Sequence, residues 1–276
     1  MLRFTVVGGG HVGRVLGRLF SRAATFAVQD VVARSMDSAV QAQAFIGAGA
    51  PVAAGGALRQ ADVYMLTVSD DQIVPACEAL AAAVPLQGAV VFHCSGALAS
   101  DKLAAARAAG AQVASVHPIR SFADMEAVAA GFAGTFCGVE GDQPALDVLL
   151  PALAAIGGRA VQIDPSAKTV YHAAAVFASN YLVTVIDAAL RAYQAAGIPE
   201  SVARELARPL ALESMENAFR LGAAPALTGP IARGDMATVQ RQHDAVAAWD
   251  KAAGRLYESL VPSTVALAER KRAGKP

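Results

Sequence analysis

The residues able to do chemistry fall into a few short clusters. The first is Gly8-Gly9-Gly10-His11-Val12-Gly13, a G-x-G-x-x-G turn between a β-branched run and a helical pattern. There Gly8 permits a tight turn, Gly10 lets a pyrophosphate approach the backbone, and Gly13 lets the helix pack closely on the strand. The free N–H groups at the helix start, through His11 and Val12, then point at the phosphates. Strand before and helix after make this a dinucleotide site, which the glycines alone would not.

The end of the second strand selects the dinucleotide. An NAD site wants an acid there for the ribose 2′-hydroxyl. In Gln29-Asp30-Val31-Val32-Ala33-Arg34-Ser35 the one acid, Asp30, falls at the beginning of the strand, and Arg34 and Ser35 stand at its exit. A cation and a hydroxyl suit a 2′-phosphate, so NADP is expected over NAD. Farther on, Thr67 and Val68 end another strand and are expected to line the cofactor, while Ser69 and Asp70 either join them or cap the next helix.

Two more strand exits carry polar clusters, His93-Cys94-Ser95-Gly96 and His117-Pro118-Ile119-Arg120-Ser121. Ser95 and Gly96 are expected near the nicotinamide. His93 and His117 are substrate-site candidates, balanced against the reading of each as a satisfied core histidine. Arg120 is a candidate clamp for a substrate anion. His93, Cys94 and His117 lack metal-ligand spacing, and no metal is expected.

Farther along, Lys168, His172 and Ser179 share a helical face. At 100° per residue His172 lies about 40° from Lys168, and Ser179 about 20°. Asn180 flanks this stripe, and alanines, Val176 and Phe177 surround it, which suggests a face turned to an interdomain cleft. Lys168 or His172 is then the proton donor, with Ser95 and Asn180 positioning the substrate oxygen. A later loop, Thr228-Gly229-Pro230-Ile231-Ala232-Arg233-Gly234-Asp235, offers Arg233 to an acidic substrate.

Alternating strands and helices must hold these clusters. Strand patterns cover residues 3–7, 28–33, 62–68, 89–93, 112–116, 135–139 and 159–163. Helical patterns cover 11–22, 37–47, 70–83, 100–109 and 143–156. Strands spaced by helices imply right-handed crossovers and a doubly wound, mainly parallel Rossmann sheet. After residue 163 only helical patterns follow. The fold class is therefore α/β, with a dinucleotide-binding domain over 1–164 and an all-helical substrate or dimerisation domain over 165–276.

Composition excludes other classes. The 276 residues are 55% hydrophobic and 17% charged, with 23 basic and 23 acidic residues, so neither disorder nor a nucleic-acid partner is indicated. Mean hydropathy is +0.41, largely from alanine. Charge or glycine is expected to break each apolar run short of the ~18 residues that span a bilayer, so no membrane role is expected. The chain opens directly on a strand pattern, without a secretory leader. With three scattered cysteines this points to the cytoplasm.

Together with Tyr171-His172-Ala173-Ala174-Ala175, Ser179-Asn180-Tyr181 and residues 229–235, these clusters resemble a family of Rossmann-like NADP-binding proteins. Its members end in a helical domain of uncharacterised function, similar to that of 6-phosphogluconate dehydrogenase. The family is related to pyrroline-5-carboxylate reductase, ketopantoate reductase, prephenate dehydrogenase and the β-hydroxyacid dehydrogenases. His117-Pro118 is similar to the pair after the sixth strand of prephenate dehydrogenases. Lys168 and His172 resemble the catalytic Lys and the Asn one turn later in β-hydroxyacid dehydrogenases, with histidine a departure. The Ser-Gly-rich helix start of pyrroline-5-carboxylate reductases is absent at 177–181. The resemblance implies a homodimer. The expected activity is hydride transfer from NADPH to a small carbonyl or imine, of which a carboxylate-bearing 2-oxo acid is one candidate. The alternative is a non-catalytic NADP-binding sensor or interaction module, which would need no Lys/His stripe.

Overall fold

The computed structural model of the chain describes residues 1–274. Eight strands form one sheet in the order β3-β2-β1-β4-β5-β6-β7-β8. They are β1 (Leu2–Val7), β2 (Phe26–Ala33), β3 (Ala50–Ala53), β4 (Val63–Leu66), β5 (Val90–His93), β6 (Gln112–Pro118), β7 (Phe136–Gly141) and β8 (Arg159–Gln162). Every pairing is parallel except β6 with β7, where His117 faces Gly138. The central strands are buried throughout, as a sheet covered on both faces requires: Val63, Tyr64, Met65 and Leu66 are all inaccessible.

Between the strands run α1 (His11–Arg22), α2 (Met36–Ile46), α3 (Ile73–Ala83), α4 (Ala104–Ala108), α5 (Met125–Ala130) and α6 (Gln143–Ala155), and α7 (Lys168–Val176) follows β8. One apolar cluster joins Phe4, Val6, Leu16, Phe20 and Leu149. The other joins Tyr64, Leu66, Cys77, Leu80 and Val91. The chain order reverses between β1 and β4, and ligands of such sheets collect at that reversal, beyond the carboxyl ends of the strands.

Two compact units emerge, Met1–Phe177 and the remainder from Ala178. The first continues past residue 164 because α7 is tied to the sheet through buried Lys168. The second contains α8 (Leu182–Ala195), α9 (Glu200–Leu221), α10 (Ala223–Ala226), α11 (Pro230–Arg233), α12 (Met236–Trp249) and α13 (Lys251–Ala273).

One expectation needs correcting. Residues 169–186 contain no glycine and no Asp, Glu, Lys or Arg. The helical run Pro165–Ala195 is thus long and apolar enough to cross a membrane by length and composition, at a mean hydropathy of 1.6.

Candidate functional site

The phosphate turn is shaped by contacts that only glycine permits. Gly8 has φ +119°, and a Cβ there would sit 2.4 Å from the Thr67 carbonyl oxygen. A Cβ on Gly13 would lie 2.3 Å from the Gly8 oxygen and 2.3 Å from Thr67 Oγ1. The Thr67 hydroxyl donates to the Gly8 carbonyl at 3.0 Å, and Arg14 Nε donates to the Gly9 carbonyl at 2.7 Å. Gly10 differs. Its backbone is extended, and a Cβ would meet only the Thr67 oxygen, at 3.8 Å. Space in front of Gly10 is free for a ligand, at the start of a helix whose first turn holds no acid.

This turn borders a cleft of about 870 Å³ that also takes in Arg34, Thr67, Val68 and the apolar side chains Leu58 and Ala79. Asp30 cannot serve it. The strand begins at Phe26, two residues earlier than its pattern suggests, so Asp30 lies within β2 rather than at its beginning. Its carboxylate, 2% exposed, accepts from Arg59 N at 2.9 Å, Nε at 2.9 Å and Nη2 at 2.6 Å. Arg34 is exposed at the strand end. Ser35 caps α2, accepting from Ser38 N at 3.3 Å, so its oxygen already serves the backbone.

At the neighbouring exits of β5 and β6 a second cluster forms. A Cβ on Gly96 would lie 2.3 Å from His172 Nδ1 and 2.8 Å from His117 Nε2, so both imidazoles abut its backbone. The rings are 5.5 Å apart and edge-to-face at 76°. His117 Nδ1 pairs with the Tyr171 hydroxyl at 2.9 Å. Burial lowers the His117 pKa to about 4, helped by His172 and Lys168, so this imidazole is neutral at pH 7. Burial also lifts Tyr171 to about 12, keeping it a phenol. Among the described residues His172 Nδ1 has no hydrogen-bond partner, although the atom is buried. A buried polar nitrogen without a partner is uncommon and calls for a physical reason.

Two family models match the chain, a Rossmann-like domain over residues 1–118 and a domain of unknown function, DUF2520, over residues 135–264. A Rossmann-like domain precedes a DUF2520 domain. No curated protein matches. Among solved structures, a Thermotoga maritima protein is 26% identical with a TM-score of 0.72, covering 98% of this chain and 99% of that one. A Bacteroides fragilis protein provisionally named an NADP oxidoreductase is 19% identical at TM-score 0.79, covering 96% and 98%. Pyrroline-5-carboxylate reductase of Coxiella burnetii is 15% identical at TM-score 0.57, covering 98% of each chain. At such identities the last two share the fold.

The imidazole cluster draws on both family matches. Ser95, Gly96, Ser115 and His117 lie in the Rossmann-like domain, whereas Glu140, Lys168, Tyr171 and His172 lie in the DUF2520 match. All belong to the first compact unit. Lys168 does not present a free ammonium, as the helical stripe suggested. It is 2% exposed, and it donates to the Ser95 carbonyl at 3.1 Å and to the Ser115 hydroxyl, with Glu140 at 3.8 Å. Two hydrogen bonds and one ion pair hold the ammonium. Burial lowers its pKa and the Glu140 carboxylate opposes that shift.

His93 is likewise a core histidine rather than a substrate contact. It is fully buried, accepts from Ser95 N at 3.2 Å through Nδ1, and donates through Nε2 to the Ala99 carbonyl at 3.1 Å. Burial holds its pKa at about 4. Ser95 is 8% exposed, and its hydroxyl oxygen accepts from Ala97 N at 3.1 Å and Leu98 N at 3.0 Å, which shapes the turn. Arg120 is not poised as an anion clamp: its Nη1 donates to the Gly131 carbonyl and to Thr135 Oγ1 at 3.3 Å. The His11 ring contacts the Phe122 carbonyl at 2.7 Å, while Val12 packs on the core.

Ser179, Asn180 and Arg233 lie in the second unit, all exposed. A π-helical turn at Phe177–Tyr181 breaks the 100° register that aligned Ser179 with Lys168. Glu140 and Ser115 escaped sequence reading, yet each left a signal. A single acid in Phe-Cys-Gly-Val-Glu-Gly, or a hydroxyl inside Val-Ala-Ser-Val, needs a buried partner if its strand is covered.

Proposed function

We propose that the chain is an NADP-dependent oxidoreductase acting on a small carbonyl or imine compound. The observation that carries this reading is the adjacency of two sites. The open phosphate turn at Gly10 and the imidazole cluster at Gly96 stand at the exits of β1 and of β5 and β6, with β4 between β1 and β5. Gly10 and the first-turn amides of α1 would hold the pyrophosphate, Arg34 the 2′-phosphate, and Thr67 and Val68 the nicotinamide side. When bound, NADPH supplies the hydride. His172 would give the proton to the nascent alkoxide or amine. Lys168 is less suited to that task because its ammonium is buried and already held by Ser95, Ser115 and Glu140. His117, neutral and braced by Tyr171, would orient the substrate oxygen or nitrogen. Arg120 being tied away, the substrate screen should pair 2-oxo acids with analogues lacking the carboxylate. The deciding measurement is oxidation of NADPH across that panel, and turnover of none of its members would sink the enzyme reading.

The cofactor preference rests on Arg34, because Asp30 is consumed by Arg59. Arg34→Ala is expected to weaken NADPH binding roughly 10- to 100-fold, the worth of a charge-assisted bond, and to leave NADH nearly unchanged. Calorimetric titration with both cofactors checks it, and equal losses for both would remove the phosphate clamp.

We also propose a homodimer through the second unit. Val183 is 65% exposed, Leu210 58% and Phe219 88%, apolar side chains that a second copy would cover. A second copy of the same chain is the occupant implied by the family resemblance. Light scattering at micromolar concentration should give twice the chain mass, and a monomer there would refute the dimer.

A further inference from the structure

Buried beneath the imidazole cluster lies an ion pair that the proposed reaction does not use. Lys168 is 2% exposed and Glu140 3%. The two oxygens of Glu140 accept from Ser100 N at 2.8 Å and from Ser100 Oγ at 2.7 Å. Together with the contacts of Lys168 to the Ser95 carbonyl and the Ser115 hydroxyl, this joins four segments at one point: the turn after β5, β6, β7 and α7. Removing two charges from water costs several kcal/mol per ion, and apolar replacements of a buried pair are often as stable. Stability alone is therefore a poor reason for the pair.

Its register gives a better one. Ser95 immediately precedes Gly96. Ser115 lies two residues before His117, hence on the same face of β6. Lys168 lies four residues, one helical turn, before His172 on α7. Ser95 and Ser115, the two hydrogen-bond partners of the ammonium, and the lysine itself thus each adjoin one member of the cluster. We propose that the Lys168–Glu140 pair is the positioning device of this site, locking Gly96, His117 and His172 into contact. Lys168 and Glu140 are positioning residues, acting through their neighbours.

The inference rests on the oxidoreductase reading for the task it gives the cluster, but its test needs no substrate. The experiment is nitrogen–proton NMR of the histidine rings in the full chain, comparing wild type with K168M/E140Q. The double change removes the Lys168 charge, which with His172 lowers the His117 midpoint while Asp70 raises it, so the uncharged Ser115→Ala variant below separates a loosened cluster from a changed field. A loosened cluster should raise the His117 midpoint from about 4 by more than one pH unit and shift or broaden both ring signals. NADPH affinity, set at the glycine turn after β1, where neither residue of the pair makes a contact, should stay within about twofold. A folded double variant with unchanged rings and midpoint overturns the proposal. Ser115→Ala, uncharged and small, removes one ammonium partner and should move the same ring signals; unmoved signals there overturn it equally. Failure of wild type to bind NADPH would instead strike the functional reading and leave the ring result standing.

Discussion

Gly10→Val is expected to abolish NADPH binding, by more than ~100-fold, while the protein folds with nearly unchanged stability. The reasoning separates three glycines that a motif treats alike. Gly8 and Gly13 are hemmed in by backbone: a Cβ on either would come within 2.4 Å of a carbonyl oxygen, and Gly8 needs φ +119° as well. Substituting them damages the fold and says little about ligands. Gly10 has extended backbone and no neighbour closer than the Thr67 oxygen at 3.8 Å. A valine there costs the apo protein little and fills the space where a pyrophosphate must meet the first amides of α1. Thermal melting and fluorescence titration of the variant decide the matter. Full affinity in a folded Gly10→Val protein would show that the dinucleotide is not held at this turn.

The elements that position the site were largely legible, because central parallel strands are unbroken apolar runs and their helices carry one apolar face. The pattern at 11–22 matches α1, and seven strand patterns correspond to observed strands. What escaped notice has physical causes. Ala50-Pro51-Val52-Ala53 forms β3 at the sheet edge, where a proline is tolerated and no strong pattern is required. The reversed direction of β7 depends on the connection through α5, a six-residue helix with too short a period to recognise.

Side-chain destinations were harder to read than elements. Helical periodicity placed Lys168 and His172 on one face, and the structure brings both to the same site, but periodicity cannot tell a cleft from a buried acceptor. Glu140 decides that, and it lies 28 residues earlier on a strand whose pairing depends on the whole sheet. Asp30 poses the same difficulty in reverse. Its unsuitability for a ribose follows from Arg59, on the loop before β4, as much as from its place in β2. A sequence shows which groups are costly to bury. Only the assembled sheet shows which of them find partners.

His172→Ala is expected to lower turnover about 10²- to 10⁴-fold, the usual worth of a positioned proton donor, with NADPH affinity within about twofold of wild type. The expectation separates three polar residues around one glycine. Lys168→Ala would leave the Glu140 carboxylate buried without its cation, so its main effect should be lost stability, about 3–5 kcal/mol, accompanied by disorder of the Ser95 turn. His117 is neutral above about pH 4, so replacing it with asparagine should cut turnover without altering the shape of the pH profile between 5 and 8. His172 alone combines a part-exposed ring, an unpaired buried nitrogen and contact with Gly96. Steady-state rates for whichever carbonyl or imine the screen returns, measured from pH 5 to 9 beside cofactor titrations, provide the test. A His172→Ala enzyme with full turnover would move the proton donor to a group outside this cluster.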